Sequence, residues 1–467
     1  MKTLTQKRLV AVKEARRNSG LWWGNYNAVC RSYEFARRRA WKQGGELRFR
    51  SFDGIGRFVN QIQGGMPLSN LFEGSHSQVK IKPLPANAYS HPSRGERRRL
   101  QRTELTICVY TGVDENGKRF RRTLTFPMTM HRPLPDEAVI KEVFVRRFRR
   151  GTRFHWSANI TATHPRQAQN EHKSCYACGI DLGWRKIEDG LRVATIVSSE
   201  DQVSHVVLPK VILQKLTYLD ELKSRIDRAI NELQVWFTKN LNLGDILPDV
   251  IAAGISKLLE SKIPSPREFI KLALLWRDEY PCVATDALQR IERWRKQDKR
   301  LRNEMENLRA KVLARRADFY RNEAKRIAQQ FSIIGMEELD LRRFALRSTN
   351  SNEKDHSIAE IRLNRERAAL SELRKWIEIQ AAKYNTEIIQ VRGDSTRQCH
   401  CCGHVNSPKD RRWKEIVWQC ESCGTKWDQD VNAGYNLRDW ATGINSTEHV
   451  NDSALHSTEK MVAVGVL

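Results

Sequence analysis

The chain has 467 residues, with 81 Lys and Arg against 55 Asp and Glu, a formal net charge of +26. At 40% hydrophobic residues it is too apolar for a disordered polycation, and its length suits about two to four domains. No run of about 18 apolar residues occurs and Met1–Arg8 leads into no apolar signal core, so membrane insertion and secretion are not expected and the expected location is the cytoplasm. A cationic surplus of this size calls for a soluble polyanion, for which nucleic acid is the default.

The first segment, Lys7 to about Trp41, is basic and aromatic and reads as helical, with a break at Ser19-Gly20. It carries Arg37, Arg38 and Arg39, which together with Asn25, Tyr26 and Asn27 could reach a nucleic-acid groove; Trp22 and Trp23 read as core. Short strands and turns are expected at 47–50 and 52–58. Residues 101–162 read as β-structure. Leu105–Tyr110 and Arg121–Phe126 form a hairpin around the turn Asp114-Glu115-Asn116-Gly117, and a second pair runs through 143–145 and 154–160. Residues 91–150 hold 15 Lys and Arg against 7 Asp and Glu. Arg97, Arg98, Arg99, Arg146, Arg147, Arg149 and Arg150, interleaved with Phe144, Phe148, Phe154 and Trp156, favour a nucleic-acid surface over a merely solvated face. Guanidinium binds phosphate while rings stack on bases.

From Gly179 the pattern changes. Three short strands, 179–183, 191–197 and 203–208, are close enough for an antiparallel meander, with Asp181 ending the first. A long helical region follows from about Val211 to Gln330, interrupted near Leu243-Gly244 and at Pro264 and Pro266. Its last part contains Arg293, Arg295, Lys296, Lys299 and Arg300. This stretch either lines a nucleic-acid channel or is a solvated face with intrahelical ion pairs. A strand at 331–337 ends in Glu337, a helix covers about 357–384, and a strand runs 386–391. Three meander strands, then helix–strand twice, is the order of an RNase H-like α/β fold.

Five of the ten cysteines fall between Cys399 and Cys423. They form two C-x-x-C-G knuckles, 399–403 and 420–424, separated by 17 residues. Four thiolates from Cys399, Cys402, Cys420 and Cys423 satisfy tetrahedral Zn²⁺ and leave no open position, so the site is structural. Cys401 is a bystander that could replace a neighbour. Cys175 and Cys178 form a lone C-x-x-C, open between a second metal site and ordinary packing. Asp181, Glu337 and Asp430 lie at the ends of elements that meet in an RNase H-like sheet. Such a triad suits phosphodiester hydrolysis by two Mg²⁺ ions, which need oxygen ligands.

Gly179-Ile180-Asp181-Leu182-Gly183, Ile333-Ile334-Gly335-Met336-Glu337-Glu338-Leu339, the paired knuckles and Asp428-Gln429-Asp430-Val431-Asn432-Ala433 together resemble the split RuvC-like nuclease of transposon-associated TnpB proteins and compact type V CRISPR effectors. The resemblance implies an α+β multidomain chain. A helical and wedge-type β-barrel N-terminal part would precede an RNase H-like (RuvC) nuclease with an inserted zinc ribbon. The expected parts are residues 1–100 (basic helical recognition and wedge elements), 101–170 (β-barrel) and 171–210 (first RuvC part). They continue as 211–330 (helical insertion), 331–395 (second RuvC part), 396–427 (zinc ribbon), 428–442 (third RuvC part) and 443–467 (tail). It also implies that Asp181, Glu337 and Asp430 are the catalytic acids and Mg²⁺ ligands, Glu337 over Glu338 and Asp430 over Asp428. The implied activity is RNA-guided recognition of double-stranded DNA in a prokaryote or phage, with R-loop formation and Mg²⁺-dependent cleavage. The implied partners are a guide RNA and target DNA, with the protein a monomer or an asymmetric homodimer on one guide. A guided binder that silences without cutting, and a transposon-type nuclease, stand as alternatives. Two features depart from the common pattern: Trp184-Arg185 after Gly183, and Gly434-Tyr435 where a second Ala is common.

Overall fold

The computed structural model describes residues 4–47, 53–74, 78–163, 176–240, 247–261, 265–338, 356–391, 393, 395–407 and 416–443. Residues 48–50 of the expected strand, Cys175 and nearly all of the expected tail therefore lie outside the described residues, as do Leu243-Gly244 and Pro264. The chain divides into two compact units, residues 1–166 and 167–467.

The first unit begins with α1 (Leu4–Ser19) and α2 (Trp23–Lys42). They break where expected, at Gly20, whose φ of +63° suits glycine. The link is stitched to the β-structure: Thr111 donates its N–H to the Gly20 carbonyl at 3.0 Å, and Asn25 Nδ2 donates to the Val59 carbonyl at 2.8 Å. Next come β1 (Gly56–Pro67), α3 (Leu68–Glu73), β2 (Val79–Ile81) and α4 (Arg94–Leu100). Ser93 caps α4 by accepting from the Glu96 N–H. Then follow β3 (Arg102–Val113), β4 (Arg119–Thr129), β5 (Val139–Arg150) and β6 (Arg153–Thr163). The strands form two three-stranded antiparallel sheets, ordered β1-β5-β6 and β2-β3-β4. Both sheets turn alternate apolar residues onto one core, including Ile62, Met66, Leu105, Ile107, Ile140 and Val143.

The second unit is built on β7 (Ala177–Ile187), β8 (Gly190–Ser198) and β9 (Val203–Pro209), an antiparallel meander. Four helices follow: α5 (Lys210–Asn240), α6 (Asp249–Glu260), α7 (Pro266–Glu279) and α8 (Thr285–Gln330). They share a separate apolar cluster around Phe237, Phe269, Trp276 and Trp294. After them come β10 (Ile333–Glu337), α9 (His356–Ala368), α10 (Leu370–Tyr384), β11 (Glu387–Val391), β12 (Val417–Gln419), β13 (Lys426–Asp428) and α11 (Gln429–Thr442). The large sheet has the order β11-β10-β7-β8-β9, with β10 parallel to both of its neighbours. All nine residues of β8 are buried, which explains its apolar character; Arg192 and Thr195 are polar residues within it.

Two sequence expectations need correction. The helix expected over about 357–384 is two helices, parted at Ala369, whose φ is +45°. Ala368 and Leu370 both enter the same core, and on a straight helix they would point to nearly opposite sides. The Tyr320 hydroxyl and Arg316 guanidinium take the carbonyls of Ala368 and Arg367 at the break. The other correction concerns β7, which does not end at Asp181 but continues to Ile187. What ends beside Asp181 is the parallel pairing with β10, whose last registered pair is Ile180 with Met336.

One face of the large sheet meets α5, α8 and α10 in a core containing Ile180, Ile196, Tyr320, Ile334 and Leu373. The helix α11 packs against β7 and β10 at very short range. A Cβ on Gly179 would lie 2.0 Å from the Gly434 carbonyl oxygen, and one on Gly434 would lie 2.5 Å from Val197 Cγ2. That contact accounts for Gly434, where an alanine would not fit.

Candidate functional site: a carboxylate cluster and a cysteine ribbon

Asp181 and Glu337 stand one register step beyond the last pair of two neighbouring parallel strands. Glu337 closes β10, and the carboxyl ends of parallel strands are where open α/β sheets present ligand-binding groups. The first turn of α11 brings Asp430 to the same place. Asp181 is 9% exposed, and burial pushes its carboxyl well above its usual range. The charges of Asp430 and Glu337 push the same way, while those of Arg192 and Arg185 oppose them. The structure thus brings all three sequence-predicted acids together.

Asp428, not Asp430, caps α11. Its Oδ1 accepts from the backbone N–H groups of Asp430 and Val431 at 3.0 and 3.3 Å. Burial acts to raise the Asp428 carboxyl, but Arg192, Arg185 and the cap bonds outweigh it and hold it below its usual range.

Two arginines that sequence reasoning did not assign to the site complete it. Arg185 donates from Nη1 to Asp428 Oδ2 at 2.7 Å and from Nη2 to Asp430 Oδ1 at 2.8 Å. Arg192 donates from Nη2 to Asp430 Oδ2 at 2.5 Å, with Asp428 oxygens at 3.4 Å. Both carboxylate oxygens of Asp430 are therefore on guanidinium groups. His205 lies alongside, its Nδ1 3.2 Å from Thr195 Oγ1, and burial followed by the Arg192 charge lowers its proton affinity. A signal for the arginine pair was present. The two-residue turn Glu188-Asp189 sets Ile187 opposite Gly190, and counting back sets Arg185 opposite Arg192.

The Sγ atoms of Cys399, Cys402, Cys420 and Cys423 lie within 4.8 Å of one another. Cys399 and Cys423 are 3.7 Å apart, and Cys402 and Cys420 are 3.6 Å apart. Tetrahedral Zn²⁺ with bonds of about 2.3 Å needs sulfurs about 3.8 Å apart, so the four residues fit the ion. Gly403 and Gly424 take φ of +72° and +75°, closing both knuckles. Cys401 is outside the quartet.

The ribbon is fastened to α11. Asn432 donates from Nδ2 to the Gln398 carbonyl at 2.7 Å, and its Oδ1 accepts the His400 N–H at 2.9 Å. One turn on, Asn436 Nδ2 donates to the carbonyls of Ser395 and Gln398, each at 2.8 Å. His400 stacks on Tyr435 with ring centroids 4.8 Å apart, and Trp427 Nε1 donates to Cys399 Sγ. On the other side of α11, Arg438 holds the Ser198 carbonyl and Asp201.

In the first unit, β5 and β6 carry two arginine–aromatic clusters, one on each face of the strand pair. Arg147 lies 3.9 Å from the Phe154 ring centroid and 5.5 Å from that of Trp156, while Arg146 and Arg150 each lie 5.4 Å from that of Phe148. Trp156 is 59% exposed. Arg149 donates to the Gly151 carbonyl. Arg37, Arg38, Arg39 and Arg98 are exposed; Arg97 is half-buried and Arg99 pairs with Glu96. Trp22 is half-buried beneath Arg121. On α8, Arg293, Lys296, Lys299 and Arg300 are exposed. Arg295 instead turns along the helix into a two-point pair with Glu292, which cancels its charge locally. Cys178 is fully buried in the sheet core.

A family model for the Cas12f1-like TNB domain matches residues 371–437, which run from α10 through β11 and the ribbon into α11. A CRISPR-associated DNA-binding protein Cas12m of Pelobacter propionicus is 40% identical over 454 residues, 94% of this chain and 67% of that one. Its counterpart in Thermanaerosceptrum fracticalcis is 30% identical over 437 residues, 93% of this chain and 72% of that one. The solved Cas12f1–sgRNA–target DNA complex is similar over 94% of this chain and 76% of that one, at 13% identity and a TM-score of 0.42. The family model and the two relatives make the chain a compact type V CRISPR effector. It belongs to the Cas12m family. Among its described residues no helix is long and apolar enough to cross a membrane.

Proposed function

We propose that this protein is a guide-RNA-directed DNA binder that silences its target by occupancy rather than by cutting. Base pairing between guide and target strand reads the sequence, and the protein reads a short flanking motif and the shape of the heteroduplex. R-loop exchange is nearly balanced in energy, so backbone contacts decide whether it persists. The arginine–aromatic clusters of β5 and β6 and the exposed cations of α2 and α8 are suited to supply them.

The observation that carries the reading is the state of Asp430. In a RuvC-type site the acids give oxygen ligands to Mg²⁺. The order of the large sheet and the meeting of Asp181, Glu337 and Asp430 support a site of that ancestry. Yet both Asp430 oxygens are on arginines, and an ion there would sit against two guanidinium charges. The residues around Asp430 therefore do not fit Mg²⁺. The cysteine quartet does fit Zn²⁺, in a structural role. The names of the relatives, as DNA-binding proteins, agree with binding as the main activity.

Cleavage is the second reading, favoured by the convergence of the three acids. One assay separates the two. The wild-type protein with its guide RNA is incubated with matched double-stranded DNA and Mg²⁺, beside an Asp181→Ala variant. Tight binding with intact DNA in both samples is expected. Cleavage by the wild type that the variant lacks would overturn the binder reading.

A further inference from the structure

Arg185 and Arg192 are direct cross-strand neighbours on β7 and β8. Like charges facing each other across a sheet repel, so the pairing holds only if anions lie between them. Asp428 and Asp430 are those anions. The four side chains are 16% (Arg185), 9% (Arg192), 28% (Asp428) and 15% (Asp430) exposed. They form a compact quartet of two positive and two negative charges, joined by contacts of 2.5 to 2.8 Å.

The backbone is shaped to make the quartet. Arg192 and Thr195 are three residues apart, so on a regular strand they would face opposite sides. The register shift between Arg192 and Ala194 resets the alternation. On β7, Asp181 and Arg185 are four residues apart, a spacing that already puts them on one side of a regular strand. Asp181 is paired with Thr195, and the arginine charges bear on its carboxyl. Both guanidinium groups thus arrive on the acid-bearing side of the sheet.

Resting on the binder reading, we infer that Arg185 and Arg192 are a guanidinium lock that stands in for a divalent cation, and that removing it turns the carboxylate cluster into a divalent-metal site. The charge arithmetic is the reason: two guanidinium groups and one divalent ion each supply +2 to the same carboxylates. Buried carboxylates stripped of their partners are costly, and a metal ion is the natural replacement. Hard oxygen donors suit Mn²⁺ as well as Mg²⁺.

The test uses the full-length, zinc-loaded protein without RNA, and Mn²⁺ alone as the probe. Free Mn²⁺ is followed by electron paramagnetic resonance. The Arg185→Gln/Arg192→Gln variant should gain one Mn²⁺ site, bound about tenfold or more tightly than anything in the wild type, because two cations no longer repel the ion. Adding Asp430→Asn to that variant should abolish the site. Mn²⁺ should also raise the melting temperature of the double variant and leave that of the wild type unchanged. If the double variant does not fold, Arg185→Gln alone serves, with a smaller gain expected. A wild type that binds Mn²⁺ as tightly as a folded variant, or a folded variant that gains no site, overturns the lock. Guide-directed DNA binding is measured separately on the wild type, so failure of the functional proposal leaves the metal readout intact.

Discussion

The carbonyl oxygen of Leu437 lies where a side chain on Gly335 would have to go: a Cβ there would be 2.1 Å away. Helix α11 therefore rests on bare backbone at the middle of the sheet, and the depth of that seat sets the position of Asp430. Gly335→Ala should cost about 2–4 kcal/mol, since neither backbone can give way without lifting the helix. Urea denaturation of the variant against wild type measures the cost.

Asp181→Asn should stabilise the protein. An acid whose folded pKa is raised loses stability as it ionises, so the penalty is present at neutral pH. It vanishes as pH falls below the unfolded value. At pH 7 the gain should be on the order of 1 kcal/mol, and it should shrink on acidification. Melting curves at pH 7 and near pH 4 test the sign: a destabilised variant at pH 7 would contradict it. Asp428 works in the opposite direction. Its folded pKa is depressed, so its contribution is present above the unfolded value and is lost as pH falls through the lower folded one.

Purified protein should contain about one zinc per chain by elemental analysis. Cys420→Ser should remove the metal and loosen the ribbon. Because Asn432 and Asn436 clasp the ribbon, faster hydrogen exchange should spread to the first turns of α11. Exchange confined to residues 399–424 would show that the clasp transmits nothing.

Arg146→Ala/Arg147→Ala should weaken nucleic-acid binding at low salt without loss of fold. Each phosphate contact removed lowers the slope of log affinity against log salt by about one. A change of affinity with no change of slope would assign these residues to stacking alone.

The meander, β10 and β11 were legible because short apolar runs bounded by turns leave few alternatives. The cysteine quartet was legible because its spacing is close to a geometric statement. The break at Ala369 was not, since the pattern is helical on both sides and only the shared burial of Ala368 and Leu370 demands it. The arginine lock was half legible: Arg185 stood out as unusual, and the hairpin turn pairs it with Arg192. That they converge on Asp430 depends on a register shift in β8 that no local pattern announces.

The clasp on α11 also separates what may vary from what may not. Asn432 grips the chain at Gln398 as it enters the zinc excursion, and the Gln429 N–H, where the chain leaves it, donates to the Ile416 carbonyl between the two knuckles. Both anchors lie within a turn of the same helix start. The excursion thus leaves and rejoins the fold at one helix start, and an exchanged ribbon leaves Asp430 in place if it keeps these grips. What an exchanged ribbon must keep is a pair of backbone carbonyls for two asparagines four residues apart.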